Sequence, residues 1–235
     1  MLITCWSSKG GSGTTVVAAA LAVRLAAEAG GVLLVDLGGD QPAALGLPEP
    51  TVGLSSCAPD PGGAASLAGH VRHLAIDAGG GVRLLPRGVG PLDPRLGPPL
   101  AHLLGGPEPV VVDAGAIGPG AALDLAAAAT ASLLVLRPCF LALRRAVAAP
   151  LRGSGVVLVD EPHRVLGVSD VEAALGIPVV AVVPWDAAIA RRVDAGLLGS
   201  GLPRPLARAL RDVPGTTVSR AAPATDGVPP LRPVR

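Results

Sequence analysis

A glycine-dense loop is the feature that most constrains this chain. The loop, Ser7–Gly13, lies between a short apolar run, Leu2–Trp6, and a long helical pattern, Thr14–Ala29. Glycines let successive backbone N–H groups converge into an anion-binding nest, and a helix that begins directly after the loop adds the positive end of its dipole. A strand, such a loop and a helix in this order are the context of a phosphate-binding loop. The alternative is a glycine-rich turn that binds no ligand.

Short apolar runs alternate with helical patterns along most of the chain. Strands are predicted at Leu2–Trp6, Val32–Asp36, Val82–Leu85, Val110–Asp113, Ser132–Leu136, Val156–Asp160 and Val179–Val183. Helices are predicted at Thr14–Ala29, Pro94–Leu104, Ala121–Ala129, Leu141–Ala149, Asp170–Leu175, Asp186–Ala195 and Pro203–Val213. Continuous Val and Leu runs separated by helices are typical of parallel sheets covered on both faces. The pattern therefore predicts an α/β fold with a mostly parallel β-sheet flanked by helices on both faces.

The length of 235 residues favours one domain, which we place at residues 1–213. Within it, Gly38–Gly81 is rich in Gly, Pro and Ser and predicts loops with one or two short helices. Residues 214–235 contain five prolines and no periodicity, which predicts a disordered tail. Asp36, Asp113 and Asp160 each end a predicted strand. Because ligands of parallel sheets bind at the carboxyl ends of the strands, a site is expected there.

A single lysine stands out among the basic residues. Of 19 basic side chains, 18 are Arg, and the one Lys, Lys9, lies inside the glycine-dense loop. Codon bias of a GC-rich genome explains the excess of Arg and leaves chance as one explanation for Lys9. The other explanation is functional, because a compact ammonium can contact a phosphate where a planar guanidinium does not fit.

The loop Lys9-Gly10-Gly11-Ser12-Gly13-Thr14-Thr15 resembles the deviant Walker A motif of the MinD/ParA superfamily of P-loop ATPases. Later segments follow in the family's order. Asp36 ends a strand similar to the family's second strand, and Asp113 ends one similar to the Walker B strand. Val183-Pro184-Trp185-Asp186 is similar to the late segment whose proline lies near adenine.

Two further segments, Leu84–Gly88 and Arg137–Arg145, are similar to CpaE/TadZ-like and septum-site-determining members from actinobacteria.

The superfamily resemblance implies ATP and Mg²⁺ as cofactors. The implied nucleotide-binding residues are Lys9, Gly10, Gly11, Ser12, Gly13, Thr14, Thr15, Asp113 and Pro184. The implied Mg²⁺ ligands are Thr15, Asp36 and Asp113. Lys9 and Asp36 are the implied catalytic residues, since the family counterpart of Lys9 reaches the partner's nucleotide across a dimer.

Two departures from the family pattern bear on hydrolysis. The usual P-loop lysine, just before the Mg²⁺ hydroxyl, is Thr14 here, and the second carboxylate after the second strand is Gly38. Asp40 is near but does not match the spacing. An opposite charge at about 4 Å contributes on the order of 4 kcal/mol at an effective dielectric constant near 20, before desolvation. Because phosphoryl transfer depends on positioning and charge stabilisation, we expect hydrolysis to suffer more than binding.

Composition excludes other classes. The longest uncharged apolar runs are about 10 to 12 residues, too short to span a bilayer, and Met1–Trp6 lacks the basic region of a secretory signal. Cys5, Cys57 and Cys139 form neither a disulfide framework nor a paired set for an iron–sulfur cluster. We therefore expect a cytoplasmic protein without integral membrane contact, and recruitment to a membrane or cell pole by a partner is left open.

Other charged side chains have ordinary explanations. His70 and His73 lack accompanying ligands and are expected on a solvated helix face. The net charge of +1 disfavours a broad nucleic-acid footprint. The arginine pairs at 144–145 and 191–192 leave DNA binding open, with solvated helix faces as the main expectation. Pro203–Val213 is expected to pack on the core rather than on a membrane.

The sequence thus predicts an ATP- and Mg²⁺-binding protein that acts as a nucleotide-dependent homodimeric switch in spatial positioning. Septum placement and localisation of a secretion or pilus apparatus are both compatible with the resemblance, and the protein partner is unknown. Hydrolysis is expected to be weak or absent. Two alternatives stay open: a pseudo-ATPase scaffold that acts through partners, and a DNA-binding partitioning ATPase.

Overall fold

The computed structural model describes residues 1–57 and 64–213. The tail predicted at residues 214–235 lies outside the described residues. The strands are β1 Leu2–Ser7, β2 Val32–Asp36, β3 Ile76–Asp77, β4 Val82–Leu85, β5 Val110–Ala116, β6 Ala131–Leu136, β7 Gly155–Asp160 and β8 Val179–Pro184. The α-helices are α1 Thr14–Ala29, α2 Gln41–Leu45, α3 Ala64–Leu74, α4 Gly97–Leu104, α5 Ala121–Ala128, α6 Phe140–Val147, α7 Val168–Leu175, α8 Ala187–Asp194 and α9 Arg204–Ala209. Short 3₁₀ turns lie at Leu54–Ser56 and Pro94–Leu96.

The described strands form one sheet in the order β3-β4-β2-β5-β1-β6-β7-β8. Its neighbouring pairs are parallel, except that β3 pairs antiparallel with β4. The predicted fold class, a mostly parallel sheet with helices on both faces, is confirmed. Strand β3 was not predicted because it has only two residues, which are not buried and therefore carry no apolar pattern.

Two apolar clusters, one on each face of the sheet, make up the core. Helix α1 covers one face with a run of fully buried alanines, Ala18, Ala19, Ala20 and Ala22. Small side chains let this helix lie close to the strands, which suits the tight packing of protein interiors. The other face includes Trp6, whose indole N–H donates to the Ser132 hydroxyl at 3.0 Å. Helix α1 ends where predicted, because Gly30 adopts a left-handed conformation with φ 81°.

The chain order places a crevice at the carboxyl end of β1. From β1 the chain runs through α1 to β2, which lies beyond β5, whereas β5 is connected through α5 to β6 on the other side of β1. Connections that leave a central strand in opposite directions open a crevice outside the carboxyl ends, where ligands bind. The glycine-dense loop follows β1 directly and therefore lies at this position.

Helix α9 packs on the core, as predicted. Leu206, Leu210 and Val213 are buried, and the helix contacts β8 and α1. Within the described residues, none of the helices has the length and apolar character needed to cross a membrane.

Candidate functional site

The conformation of the glycine-dense loop depends on its glycines and on two local hydrogen bonds. Gly11 and Gly13 adopt positive φ angles of 75° and 95°, which L side chains rarely tolerate. The Lys9 carbonyl accepts hydrogen bonds from the hydroxyls of Ser7 at 2.9 Å and Ser12 at 3.0 Å. Gly13 caps α1 without a side-chain hydrogen bond. The first N–H groups of α1 therefore have no side-chain acceptor at the cap, and an anion can accept their hydrogen bonds instead.

Two buried carboxylates lie on neighbouring strands beside this loop. Asp36 and Asp113 are paired in register across β2 and β5, and both are fully buried. Asp36 accepts from the Gly39 N–H at 2.7 Å and from the Gln41 N–H at 3.2 Å. Asp113 accepts from the Gly115 N–H at 3.0 Å and from the Gln41 side-chain amide at 2.9 Å. The two carboxylates are thus fixed in place by neutral donors.

Burial dominates the acidity of this pair. It raises the pKa of Asp36 to about 7, with the neighbouring charge of Asp113 adding to the effect and the N–H donors opposing it. Burial also raises the pKa of Asp113, against hydrogen bonds from Gln41 and the Thr15 hydroxyl. None of the salt bridges among the described residues includes either carboxylate. Ionising both therefore leaves uncompensated buried charge, which a bound cation would relieve.

The donor set suits Mg²⁺. Thr15, Asp36 and Asp113 offer oxygen atoms only, and the Thr15 hydroxyl lies close enough to Asp113 to lower the pKa of that carboxyl, so these groups can share one cation. Gly38 lies directly beside both carboxylates, since a Cβ at this position would lie 3.6 Å from Asp113 Oδ2 and 3.7 Å from Asp36 Oδ1. The described part of the chain contains no group of three His, Cys, Asp or Glu that could cage a metal. An ion here would complete its coordination with water and ligand oxygens, as Mg²⁺ commonly does.

A cleft of about 180 Å³ adjoins the loop. Its walls come from the loop, the start of α1, helix α8 and the ends of β6, β7 and β8; they include Gly11, Ser12, Gly13, Arg137, Val159, Pro184, Trp185 and Ile189. The Arg137 guanidinium stacks on the Trp185 ring, 4.5 Å from its centroid. Pro184, assigned to the site from the family resemblance, therefore lies in the same cleft as the loop glycines.

The remaining predicted residues differ in how deeply they are buried. Thr14 is buried at the first position of α1, whereas Lys9 is half-buried and Gly10 is exposed. Lys9 lies near Glu161, because its charge contributes to lowering the pKa of that carboxyl, after larger effects led by the Arg164 hydrogen bond. Asp113 does not end its strand as predicted, because β5 continues to Ala116; it lies inside β5, level with Asp36 at the end of β2. Asp160 does end β7, but it is exposed and does not share the burial of Asp36 and Asp113.

Sequence reasoning missed three residues of this region: Gln41, Arg137 and Trp185. Arg137 and Trp185 both lay inside segments that the family resemblance had singled out, but neither was assigned to the site. Arg137 follows β6 directly, so its place at a strand's carboxyl end was a usable signal. Gln41 had no local signal, because its amide contacts Asp113, which is 72 residues away in sequence.

A parallel α/β sheet with a glycine loop and an uncapped helix after its central strand defines a P-loop nucleotide-binding domain. The sequence matches the CobQ/CobB/MinD/ParA nucleotide binding domain over residues 3–198, and the chain belongs to that family. No curated protein matches the sequence.

Solved structures share the fold. Septum site-determining protein MinD from Pyrococcus horikoshii, complexed with Mg-ADP, is 23% identical with a TM-score of 0.71, covering 90% of this chain and 93% of that one. The MinC:MinD cell division complex of Aquifex aeolicus contains a chain 19% identical with a TM-score of 0.66, covering 90% and 93%. A ParA family ATPase from Chlorobium tepidum is 18% identical with a TM-score of 0.65, covering 90% and 96%. At these identities, the likeness shows the fold.

Proposed function

We propose that this protein binds ATP with Mg²⁺ and acts as a nucleotide-dependent homodimeric switch in spatial positioning, with weak or no hydrolysis. The observation that carries this proposal is the joint placement of the glycine loop and the buried Asp36–Asp113 pair at the end of β1. One group offers N–H donors to phosphate, and the other offers oxygens to a cation. The Mg-ADP complex of the Pyrococcus horikoshii MinD supports the same ligand here.

Weak hydrolysis follows from two residues in this site. Thr14 is a buried neutral side chain at the first position of α1, so the loop lacks a lysine there. Gly38 lies beside the two carboxylates and has no side chain, so residue 38 cannot orient an attacking water. The loop N–H groups and the helix dipole remain. We therefore assign nucleotide binding to this site and assign turnover a minor role.

Dimerisation is supported by an exposed apolar surface beside the loop. Phe140 is 75% exposed and Leu141 is 49% exposed at the start of α6, and Phe140 is the only Phe in the chain. The Ser8 hydroxyl donates to the Ala142 carbonyl at 2.8 Å, which ties α6 to the loop. A large exposed apolar group beside a ligand site suits an interface that forms when the ligand is bound. Lys9, half-buried on the same loop, is the side chain proposed to reach a partner's nucleotide.

The cellular role follows the family. A MinD-type septum role, or the localisation of a secretion or pilus apparatus as in CpaE-like proteins, requires a second protein, and the Aquifex aeolicus MinD is seen with MinC. We propose that this protein is cytoplasmic and reaches a membrane or pole through such a partner. A pseudo-ATPase scaffold is the second candidate, favoured by the Thr14 and Gly38 replacements.

DNA partitioning has weaker support. Arg191 is exposed on α8, but Arg192 is engaged, since its Nε donates to the Gly201 carbonyl at 3.0 Å. The pair therefore offers one exposed guanidinium rather than a dedicated basic surface.

The test is calorimetric titration of the full chain with ATP and ADP, with and without Mg²⁺, alongside molar mass by light scattering. Mg²⁺-dependent ATP binding that raises the mass to that of a dimer would support the switch. Binding without a change in mass would favour the scaffold. A steady-state turnover near 1 s⁻¹, which lies in the range of ordinary enzymes, would contradict weak hydrolysis.

A further inference from the structure

Gln41 is the only side-chain amide in the chain, which contains one Gln and no Asn. This side chain is fully buried at the start of α2. Its Nε2 donates to the Thr15 carbonyl at 3.0 Å and to Asp113 Oδ2 at 2.9 Å. Its backbone N–H donates to Asp36 Oδ2 at 3.2 Å. One residue therefore contacts all three of the proposed cation ligands or their backbone.

The other end of the Gln41 amide is left without a partner. Within the described residues, Oε1 is buried and accepts no hydrogen bond. Leaving a buried acceptor unsatisfied is destabilising, and native proteins keep few such groups. This orphan oxygen therefore calls for an explanation.

Exchanging the amide nitrogen and oxygen does not remove the problem. After such a flip, Oε1 would face the Thr15 carbonyl and the Asp113 carboxylate, which are both acceptors. The present orientation is thus fixed by its surroundings. Oε1 is buried on the same amide that contacts Asp113 and the Thr15 backbone, so a water carried by a cation at these residues can supply its missing donor.

We propose that Gln41 is a positioning residue for a hydrated divalent cation. Nε2 holds Asp113 and the Thr15 backbone in place, and Oε1 accepts a hydrogen bond from a water that the cation carries. Gln41 thereby replaces part of the role of the family's second carboxylate, which is absent because residue 38 is Gly. It does so by orienting a water next to the two aspartates. This inference rests on the proposed function, since it needs the Mg²⁺–nucleotide site.

The test measures Mn²⁺ binding to the full chain saturated with ADP, by counting free Mn²⁺ with electron paramagnetic resonance. Partners that orient metal ligands typically contribute about 10- to 100-fold in metal affinity. We expect Gln41→Leu to weaken Mn²⁺ binding by at least about tenfold. Its melting temperature in metal-free buffer should fall, because Leu removes the Nε2 donor of the Thr15 carbonyl and of Asp113 Oδ2, so Mn²⁺ affinity is the measurement that separates a positioning role from a structural one.

The matched control is Ser132→Ala, which removes a buried hydrogen bond to Trp6 away from the site. It should lower the melting temperature and leave Mn²⁺ affinity unchanged. If Gln41→Leu behaves like this control, Gln41 is structural and the inference is wrong. Gln41→Asn, which keeps the amide but shortens its reach, serves if the Leu variant does not fold, and it should also weaken Mn²⁺ binding.

The wild-type result separates the two claims. If wild type binds Mn²⁺ with ADP and both Gln41 variants bind it equally well, only the inference fails. If wild type binds neither ADP nor Mn²⁺ with ADP, the proposed function fails and this inference fails with it.

Discussion

At the scale of single residues, the buried acid pair makes the ligand-free protein sensitive to pH. The pKa of Asp36 is about 7 in the folded chain, far above its ordinary value near 4. Between these values the folded chain holds a proton that the unfolded chain has lost, so raising the pH lowers the free energy of unfolding. In metal-free buffer we expect the melting temperature to fall as the pH rises from about 5 to 7.5.

Asp36→Asn should flatten this slope, because the amide does not titrate. Asp93→Asn is the control, since Asp93 is an exposed carboxyl whose pKa is lowered to about 2 by hydrogen bonds from Arg95, and it does not titrate in this range. Thermal melts at several pH values measure the effect. An Asp36→Asn slope equal to that of wild type would refute the assignment.

The two departures from the family pattern can be reversed one at a time. Thr14→Lys adds a positive charge where the loop lacks one, so we expect ATP to bind about tenfold tighter or more. This gain is smaller than the interaction of on the order of 4 kcal/mol between opposite charges about 4 Å apart at an effective dielectric constant near 20. Thr14→Ser is the control that adds no charge. Adenosine, which has no phosphate, should bind all three proteins equally in calorimetry. A gain for adenosine, or no gain for ATP, would show that the loop does not bind phosphate.

Adding Gly38→Asp to Thr14→Lys tests turnover. A Cβ at residue 38 meets only ordinary contacts of 3.6 to 3.8 Å with Asp36 and Asp113, so a side chain can begin there without a clash. We expect the double variant to hydrolyse ATP faster than Thr14→Lys alone in a steady-state phosphate-release assay. Equal rates would mean that residue 38 does not limit turnover.

At the scale of elements, α9 is a packing element. Leu206 is fully buried, whereas Arg208 on the same helix is exposed. Leu206→Ala should lower the free energy of unfolding by about 2 to 5 kcal/mol, as usual for a core leucine, and Arg208→Ala by less than about 0.5 kcal/mol. Chemical denaturation measures both.

We also expect the wild-type protein to stay in the supernatant when anionic liposomes are pelleted without a partner. ATP-dependent co-pelleting would contradict the packing role of α9.

The elements show what sequence alone can and cannot predict. Strands β2 and β4 and helix α1 have the predicted bounds, because apolar runs and capping glycines are local signals, whereas β5 continues to Ala116, beyond its predicted end. The two-residue strand β3 has no such signal and forms only by pairing with β4. The contact between Gln41 and Asp113 depends on β5 lying beside β2, which no local pattern records. The loop residues were found through a motif, whereas the partners that the fold brings to them were not.

At the scale of the whole molecule, the exposed apolar surface at the start of α6 is the surface that we propose a second copy contacts. The exposed Phe140 and Leu141 lie at the start of α6, which is tied to the loop through Ser8. If this surface is buried in an ATP-bound dimer, Phe140→Ser should reduce the dimer fraction and leave monomer ATP affinity unchanged. Val165→Ser, which alters a 96% exposed apolar residue before α7, is the comparison. Light scattering at several protein concentrations distinguishes the two variants, and equal dimer fractions for wild type and Phe140→Ser would exclude this surface.

The last prediction concerns Lys9. It is the only lysine in the sequence. Its backbone carbonyl accepts hydrogen bonds from the Ser7 and Ser12 hydroxyls, which position the loop at this residue. A partner's phosphate would meet a compact charge, which the larger planar fork of Arg does not reproduce. We therefore expect Lys9→Ala and Lys9→Arg both to weaken ATP-dependent dimerisation.

The melting temperature without nucleotide should change little in either variant, because the half-buried Lys9 side chain contributes little to the core. Molar mass with ATP and Mg²⁺ is the measurement. If wild type dimerises and Lys9→Ala dimerises equally well, Lys9 does not act across a dimer. If only Lys9→Ala fails and Lys9→Arg dimerises normally, charge alone suffices and the steric argument for lysine is wrong. If wild type never responds to ATP, the scaffold is the better description, and the lone lysine remains from an ancestral nucleotide switch.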